Sequence, residues 1–158
     1  MPEPIIKFRP VKAEDWKDIA WLASDFVQEA DHSDGQDTGW VRNRRSFEGK
    51  RYQRIAEIQG QIVGYCSLER STTGSKSGFR AYLVADWKST NRSIHEALMH
   101  MIEELIAVNK IDLVWMRELT GDVQLLEFVE SKGFVKSESY VINGKEMINL
   151  RKEYGCDS

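Results

Sequence analysis

The stretch from Ala81 to Asn109, AYLVADWKSTNRSIHEALMHMIEELIAVN, holds the residues best spaced to bind an anion. The short apolar run Ala81–Ala85 predicts a buried strand. A polar loop, Asp86–Arg92, follows it. Ile94, Ala97, Leu98, Met101, Ile102, Leu105 and Val108 then recur at three- and four-residue steps, which predicts one apolar face of a helix over Ile94–Val108. The first amides of a helix have no intrahelical acceptor, and the helix dipole favours negative charge there. Thr90, Asn91, Arg92, Ser93, Ile94 and His95 are therefore candidate phosphate-binding residues, with Lys88 and Arg92 adding positive charge at the same end. Ser93 and Glu96 have capping-box spacing, which marks the helix start and equally fits a plain cap with no ligand. His95 and His100 can be read as bases, but at such a position a surface role is the simpler one.

The chain has 158 residues, 41% hydrophobic and 30% charged, the composition of one soluble domain over 1–152 with a short tail at 153–158. No apolar run can span a bilayer, and the N-terminus lacks a signal-peptide pattern, so the expected compartment is the cytoplasm, with no membrane partner. A net charge of −3 argues against a nucleic-acid-binding surface. Arg42, Arg44, Arg45, Lys50, Arg51 and Arg54 crowd one region, and a solvated face explains them. Cys66 and Cys156 are too far apart in type of segment to suggest a disulfide or a metal site. The loop Asp31–Gly39, DHSDGQDTG, superficially resembles a calcium loop, but its glycine and terminal glutamate are misplaced, so no metal is expected.

Around the central stretch, Ile5–Arg9 reads as a strand and Lys12–Ala30 as a helix burying Trp16, Ile19, Ala20, Ala23, Phe26 and Val27. Trp40–Phe47 reads as a short helix. Tyr52–Ile58 and Ile62–Glu69 read as a hairpin across Gln59–Gln61, Ile111–Met116 as a buried strand, Val123–Lys132 as a helix, and Phe134–Val141 with Glu146–Leu150 as a hairpin across Asn143-Gly144. The implied fold class is α/β (α+β): a mixed central sheet of six to seven strands flanked by about four helices. The edge strand of the last hairpin is a candidate homodimer surface.

Taken in order, these segments resemble the GNAT superfamily of acyl-CoA N-acyltransferases over nearly the whole chain. IIKFRPVKAEDWKDIAWLA resembles the family's first strand and helix, with its R-P-x-x-x-x-D phrase. IAEIQGQIVGYCSLE resembles its second and third strands, with G-x-x-V-G at the turn, and SKGF resembles the close of its last helix. The family's R/Q-x-x-G-x-G/A loop falls on Thr90–His95, where Asn91-Arg92-Ser93-Ile94 is similar to an R-G-K-S-I-G variant found in some members, phage-encoded ones included.

The resemblance implies acetyl-CoA as acyl donor and an amine of a small molecule or protein as acceptor. It implies that Leu83, Val84 and Ala85 supply a backbone edge for the pantetheine arm and polarise the thioester. The tyrosine that many members place four residues before the Gly-Phe pair is Val129 here, which can neither donate nor accept a proton. Tyr140 or Tyr82 are the candidate substitutes. For the base, Glu69 and Glu118 are the best-placed carboxylates, each also readable as an ordinary surface residue. The other reading is a catalytically degenerate GNAT-fold binding or scaffold module.

Overall fold

The computed structural model describes residues 5–23, 44–71, 78–85, 92–119, 123–142 and 144–154. Strand β1 is Lys7–Arg9, followed by a 3-10 turn at Ala13–Asp15 and helix α1 at Trp16–Ala23. Strands β2 (Arg51–Ile58), β3 (Gln61–Ser71) and β4 (Gly78–Val84) come next, then helix α2 (Arg92–Val108). Strand β5 (Leu113–Leu119), helix α3 (Val123–Ser131) and strands β6 (Val135–Ile142) and β7 (Lys145–Glu153) complete the order. The seven strands form one mixed sheet, β1-β2-β3-β4-β5-β7-β6, whose only parallel contact is β4 with β5.

The predicted alternation of strands and helices is met, with three α-helices among the described residues rather than about four. Arg44 and Arg45 close a helical turn, but the rest of the expected Trp40–Phe47 helix, the end of the Lys12–Ala30 helix, the Asp31–Gly39 loop, Lys88 and Asn143 lie outside the described residues. Gln59 and Gly60 both have positive φ, 51° and 80°, the backbone of a two-residue type I′ hairpin turn. At the C-terminus the expected tail begins later: β7 includes Glu153, and the Tyr154 amide donates to the Asp112 carbonyl at 2.8 Å. β6 lies at one edge of the sheet, with Val135 and Val141 exposed.

The sheet's two faces differ. On one, α2 and α3 bury a continuous core that crosses every central strand: Ala56, Cys66, Leu68, Ala81, Leu83, Val114, Met116 and Leu150 against Leu98, Ile102, Leu125 and Val129. On the other, α1 covers only the first half, through Trp16, Ile19, Ile55, Tyr65, Tyr82 and Val84. The 3.6-residue period of α2 and the two-residue period of the strands direct these side chains inward.

An ion-pair network locks α1 to the sheet. Arg9 reaches Asp15 with two hydrogen bonds of 2.8 Å and Glu57 with one of 2.7 Å, and the Lys12 amide donates to Asp15 at 2.7 Å. These bonds hold the Asp15 carboxyl below its ordinary range, the Arg9 guanidinium being the main cause. A lowered native value means that the stabilisation is complete above the unfolded carboxylate value near 3.8 and is lost as pH falls through the native one. Asp15→Asn should therefore cost about 1–3 kcal/mol at neutral pH, and the gap between the two proteins' melting temperatures should shrink as pH drops below about 4. Thermal melts of both proteins across pH check this, and a gap independent of pH would refute it.

Candidate functional site

β4 and β5 pair at only two register positions, Phe79 with Val114 and Arg80 with Trp115. Gly78 explains why they meet there at all. A Cβ at that position would lie 3.0 Å from the Leu113 carbonyl oxygen, so glycine lets the two backbones converge without displacing Leu113. Past Arg80 the strands part. β4 stays bonded to β3 through Tyr65–Val84, and β5 stays bonded to β7 through Leu119–Met147, so among the described residues no strand lies between the edges that face each other across the gap. Leu83 and Val84 line that gap and Ala85 follows the strand's last residue, all three buried. A backbone edge of this kind leaves amide and carbonyl groups for an extended ligand.

The chain returns to the described residues as α2, whose first residue is Arg92. Thr90 and Asn91 lie outside the described residues. Ser93 stands inside the first turn rather than before it, and Ile94 is half-buried beside the core. Glu96, paired with Ser93 as a capping box in the sequence, lies beyond the first turn: its carboxylate accepts from Lys132 Nζ at 2.6 Å, tying α2 to the end of α3. That removes an uncompensated negative charge from the helix end proposed to hold an anion. His95, expected at the surface, is 1% exposed and meets the Phe128 ring edge-on at 6.3 Å. Helical geometry requires this, since position 95 lies one turn before the buried Met99.

The α1 face of the closed end of the gap carries a charge cluster. Glu69 on β3 is buried, not a surface residue, and lies opposite Arg51 on β2 and Arg80 on β4. Arg44 Nε sits 2.8 Å and Arg51 Nη1 3.6 Å from the same oxygen, Glu69 Oε2. Arg51 also donates to the Arg44 carbonyl. Arg44 lies over the Tyr82 ring at 4.3 Å, and Arg80 lies over Tyr82 at 4.5 Å and Trp115 at 5.4 Å. Burial pushes the Glu69 carboxyl above its ordinary value, and the three arginines pull against that. The basic run Arg42–Arg54 is thus not simply a solvated face, because Arg44 and Arg51 turn inward. A charge run in sequence carries no sign of this, since the buried partner is a strand away.

The three candidate catalytic side chains are not brought together. Strand register puts Glu118 on β5, paired with Ile148 of β7, whereas Glu69 lies on β3. Tyr140 shares the face of Glu69, but sits on β6, beyond β4, β5 and β7, where its hydroxyl donates to Asn149 Oδ1 at 2.8 Å. Val129 is fully buried in the core of α3. Sequence reading missed Arg80, Trp115 and Asn149. Arg80 had a signal, a charge inside an apolar run, which for a buried strand calls for a partner. Among the described residues no three His, Cys, Asp or Glu side chains come together as a metal site, and no helix is long and apolar enough to cross a membrane.

No protein-family model matches the chain, nor does any curated protein. Solved structures do. A GCN5-related N-acetyltransferase from Kribbella flavida superposes with a TM-score of 0.76 at 11% identity, over 94% of this chain and 98% of that one. Ribosomal-protein-alanine N-acetyltransferase from Brucella melitensis superposes with a TM-score of 0.70 at 16% identity, over 94% and 99%. A variant of the spermidine N-acetyltransferase from Vibrio cholerae gives 0.69 at 12% identity, over 94% and 93%. With a mixed seven-stranded sheet that parts between β4 and β5 and feeds β4 toward a helix start, the chain has the fold of the GNAT N-acetyltransferases.

Proposed function

We propose that this protein is an acyl-CoA N-acyltransferase that moves an acetyl group from acetyl-CoA to an amine of a small molecule or protein. The observation that carries the reading is the gap past Arg80, a free backbone edge that ends near the start of α2. In this reading the amides of Leu83–Ala85 hold the pantetheine arm and polarise the thioester carbonyl. The first-turn amides around Arg92, Ser93 and Ile94, with Thr90 and Asn91 before them, hold the pyrophosphate. His95 contributes its backbone alone, since its ring is packed against Phe128. Bound acetyl-CoA supplies an activated thioester, so the protein needs no covalent intermediate; it orients the amine and manages two protons.

We assign the first proton to Glu69. Its burial favours the protonated form relative to an exposed carboxylate, which suits a group that must accept a proton near neutrality. Glu118, near the far end of β5, is the weaker candidate. Tyr140, steered by Asn149, is the candidate donor to the departing sulfur. A thiolate is a stable enough leaving group that this donor is not essential. The alternative, a module that binds coenzyme A without transfer, draws on Val129, which takes the usual acid's place and is fully buried.

Two experiments test the reading. Arg92→Glu should weaken acetyl-CoA binding in calorimetry, with a smaller effect at high salt because exposed charges are screened. No binding of acetyl-CoA by the parent protein at millimolar concentration would end it. Val129→Tyr forces a ring into a filled core, and should lower stability by about 1–3 kcal/mol while leaving thiol release within about tenfold of the parent. An unchanged melting temperature with a gain of roughly a hundredfold in turnover would instead show a lost acid restored.

A further inference from the structure

We infer that the acceptor is a small amine that also carries a carboxylate, seated with its carboxylate on Arg80 and its amine beside Glu69. This rests on the acyltransferase reading and adds the substrate class. The cluster holds three guanidiniums, Arg44, Arg51 and Arg80, around the single carboxylate of Glu69. Arg44 and Arg51 both address Oε2, so Oε1 is the oxygen those two pairs do not use.

Arg80 differs from the other two. It makes no ion pair with Glu69, and its buried Nε has no hydrogen-bond partner among the described residues. It is nonetheless held in place over the rings of Tyr82 and Trp115. Stacking fixes the plane of a guanidinium but leaves its edge N–H groups unsatisfied, and a carboxylate is the partner that fits that edge with two parallel bonds. Burying such donors without a partner is costly, so an orphan donor in an otherwise ordered cluster points to a missing acceptor.

Position gives the same answer. Arg80 is the last residue at which β4 and β5 pair, so its edge stands at the closed end of the gap where acyl transfer is proposed. Glu69 and Arg80 are cross-strand partners, one negative group beside one positive group on a single face. That arrangement complements an ammonium and a carboxylate a few bonds apart. It works against a polyamine, because a second ammonium would meet the excess of guanidinium charge.

The test measures thiol release from acetyl-CoA with matched probes: glycine against glycinamide, L-methionine against L-methioninamide, and spermidine. The acids should exceed their amides in kcat/KM by about tenfold or more, with spermidine poorest. Arg80→Gln should reduce the acid preference to about twofold or less, while Arg80→Lys, which keeps charge but loses the planar edge, should recover part of it. Circular dichroism and acetyl-CoA calorimetry on each variant report folding and donor binding. Equal use of acids and amides, a preference for spermidine, or an acid preference intact in Arg80→Gln would overturn the inference. If the parent binds no acetyl-CoA, the acyltransferase reading fails instead. Direct titration of L-methionine against L-methioninamide then decides the carboxylate site alone, and equal affinities reject it.

Discussion

A parallel strand contact that closes for two residues and then fails is the constraint on which the rest of this structure turns. Gly78 lets the β4 backbone approach Leu113, and the Arg80–Trp115 pair is the last rung. Opening a sheet in its middle exposes backbone groups that must find other partners. The molecule tolerates it because the α2–α3 core spans the gap. Leu83 and Ala85 on one side, and Val114 and Met116 on the other, belong to one apolar cluster with Leu98, Phe128 and Val129. On the opposite face no such cluster bridges the halves among the described residues. The α1 cluster contains residues of β2, β3 and β4 but none of β5, β6 or β7. Among the described residues the sheet is therefore sealed by α2 and α3 on one face, while α1 covers the first half of the other, here called the open face.

The charges follow that asymmetry. A carboxylate as buried as Glu69 is costly to ionise, and burial is the larger influence on it despite the arginines around it. Placing it on the sealed face would have required a complete set of partners within an apolar core. On the open face it faces arginines stacked on Tyr82 and Trp115, side chains that are orienting without being hydrogen-bond acceptors for a guanidinium edge. The Arg9–Asp15–Glu57 network at the other end of the sheet shows the contrast. There every carboxylate is matched to a donor, the Asp15 carboxyl is held low, and the pairing is structural.

The fold was largely legible in the sequence because periodicity reports burial directly. The apolar steps of α2 and the two-residue alternation of β3 are written in residue order, and the Gln59-Gly60 turn in residue type. Element ends were less legible. β4 starts at Gly78 rather than Ala81 because its first residues, including Arg80, look polar while pairing with both neighbours. The candidate site was less legible. Leu83–Ala85 were named through the family resemblance, a matter of segment order, whereas Arg44, Arg51, Glu69 and Arg80 converge from separate segments. Glu69 and Glu118 look alike as carboxylates near strand ends, and only register reveals that Glu69 sits between Arg51 and Arg80.

His95 bears on why a divergent loop can keep its use. Small residues suit a helix start that cradles a pyrophosphate because they let the ligand reach the amides. The same clearance is obtained if a larger side chain is directed into the protein, as the His95 ring is, against Phe128. The amide direction is set by the helix and not by the side chain, so residue type at that position is constrained by which way it points more than by its size. Phe128, next to Val129 on α3, is the residue that receives the ring. Two departures from the resembling pattern, a histidine in the loop and a valine at the usual acid's place, thus belong to adjoining parts of one core. Packing couples them: a side chain that fills the space between α2 and α3 leaves the α3 surface there apolar, whereas Glu69 and Tyr140 lie on the other face of the sheet.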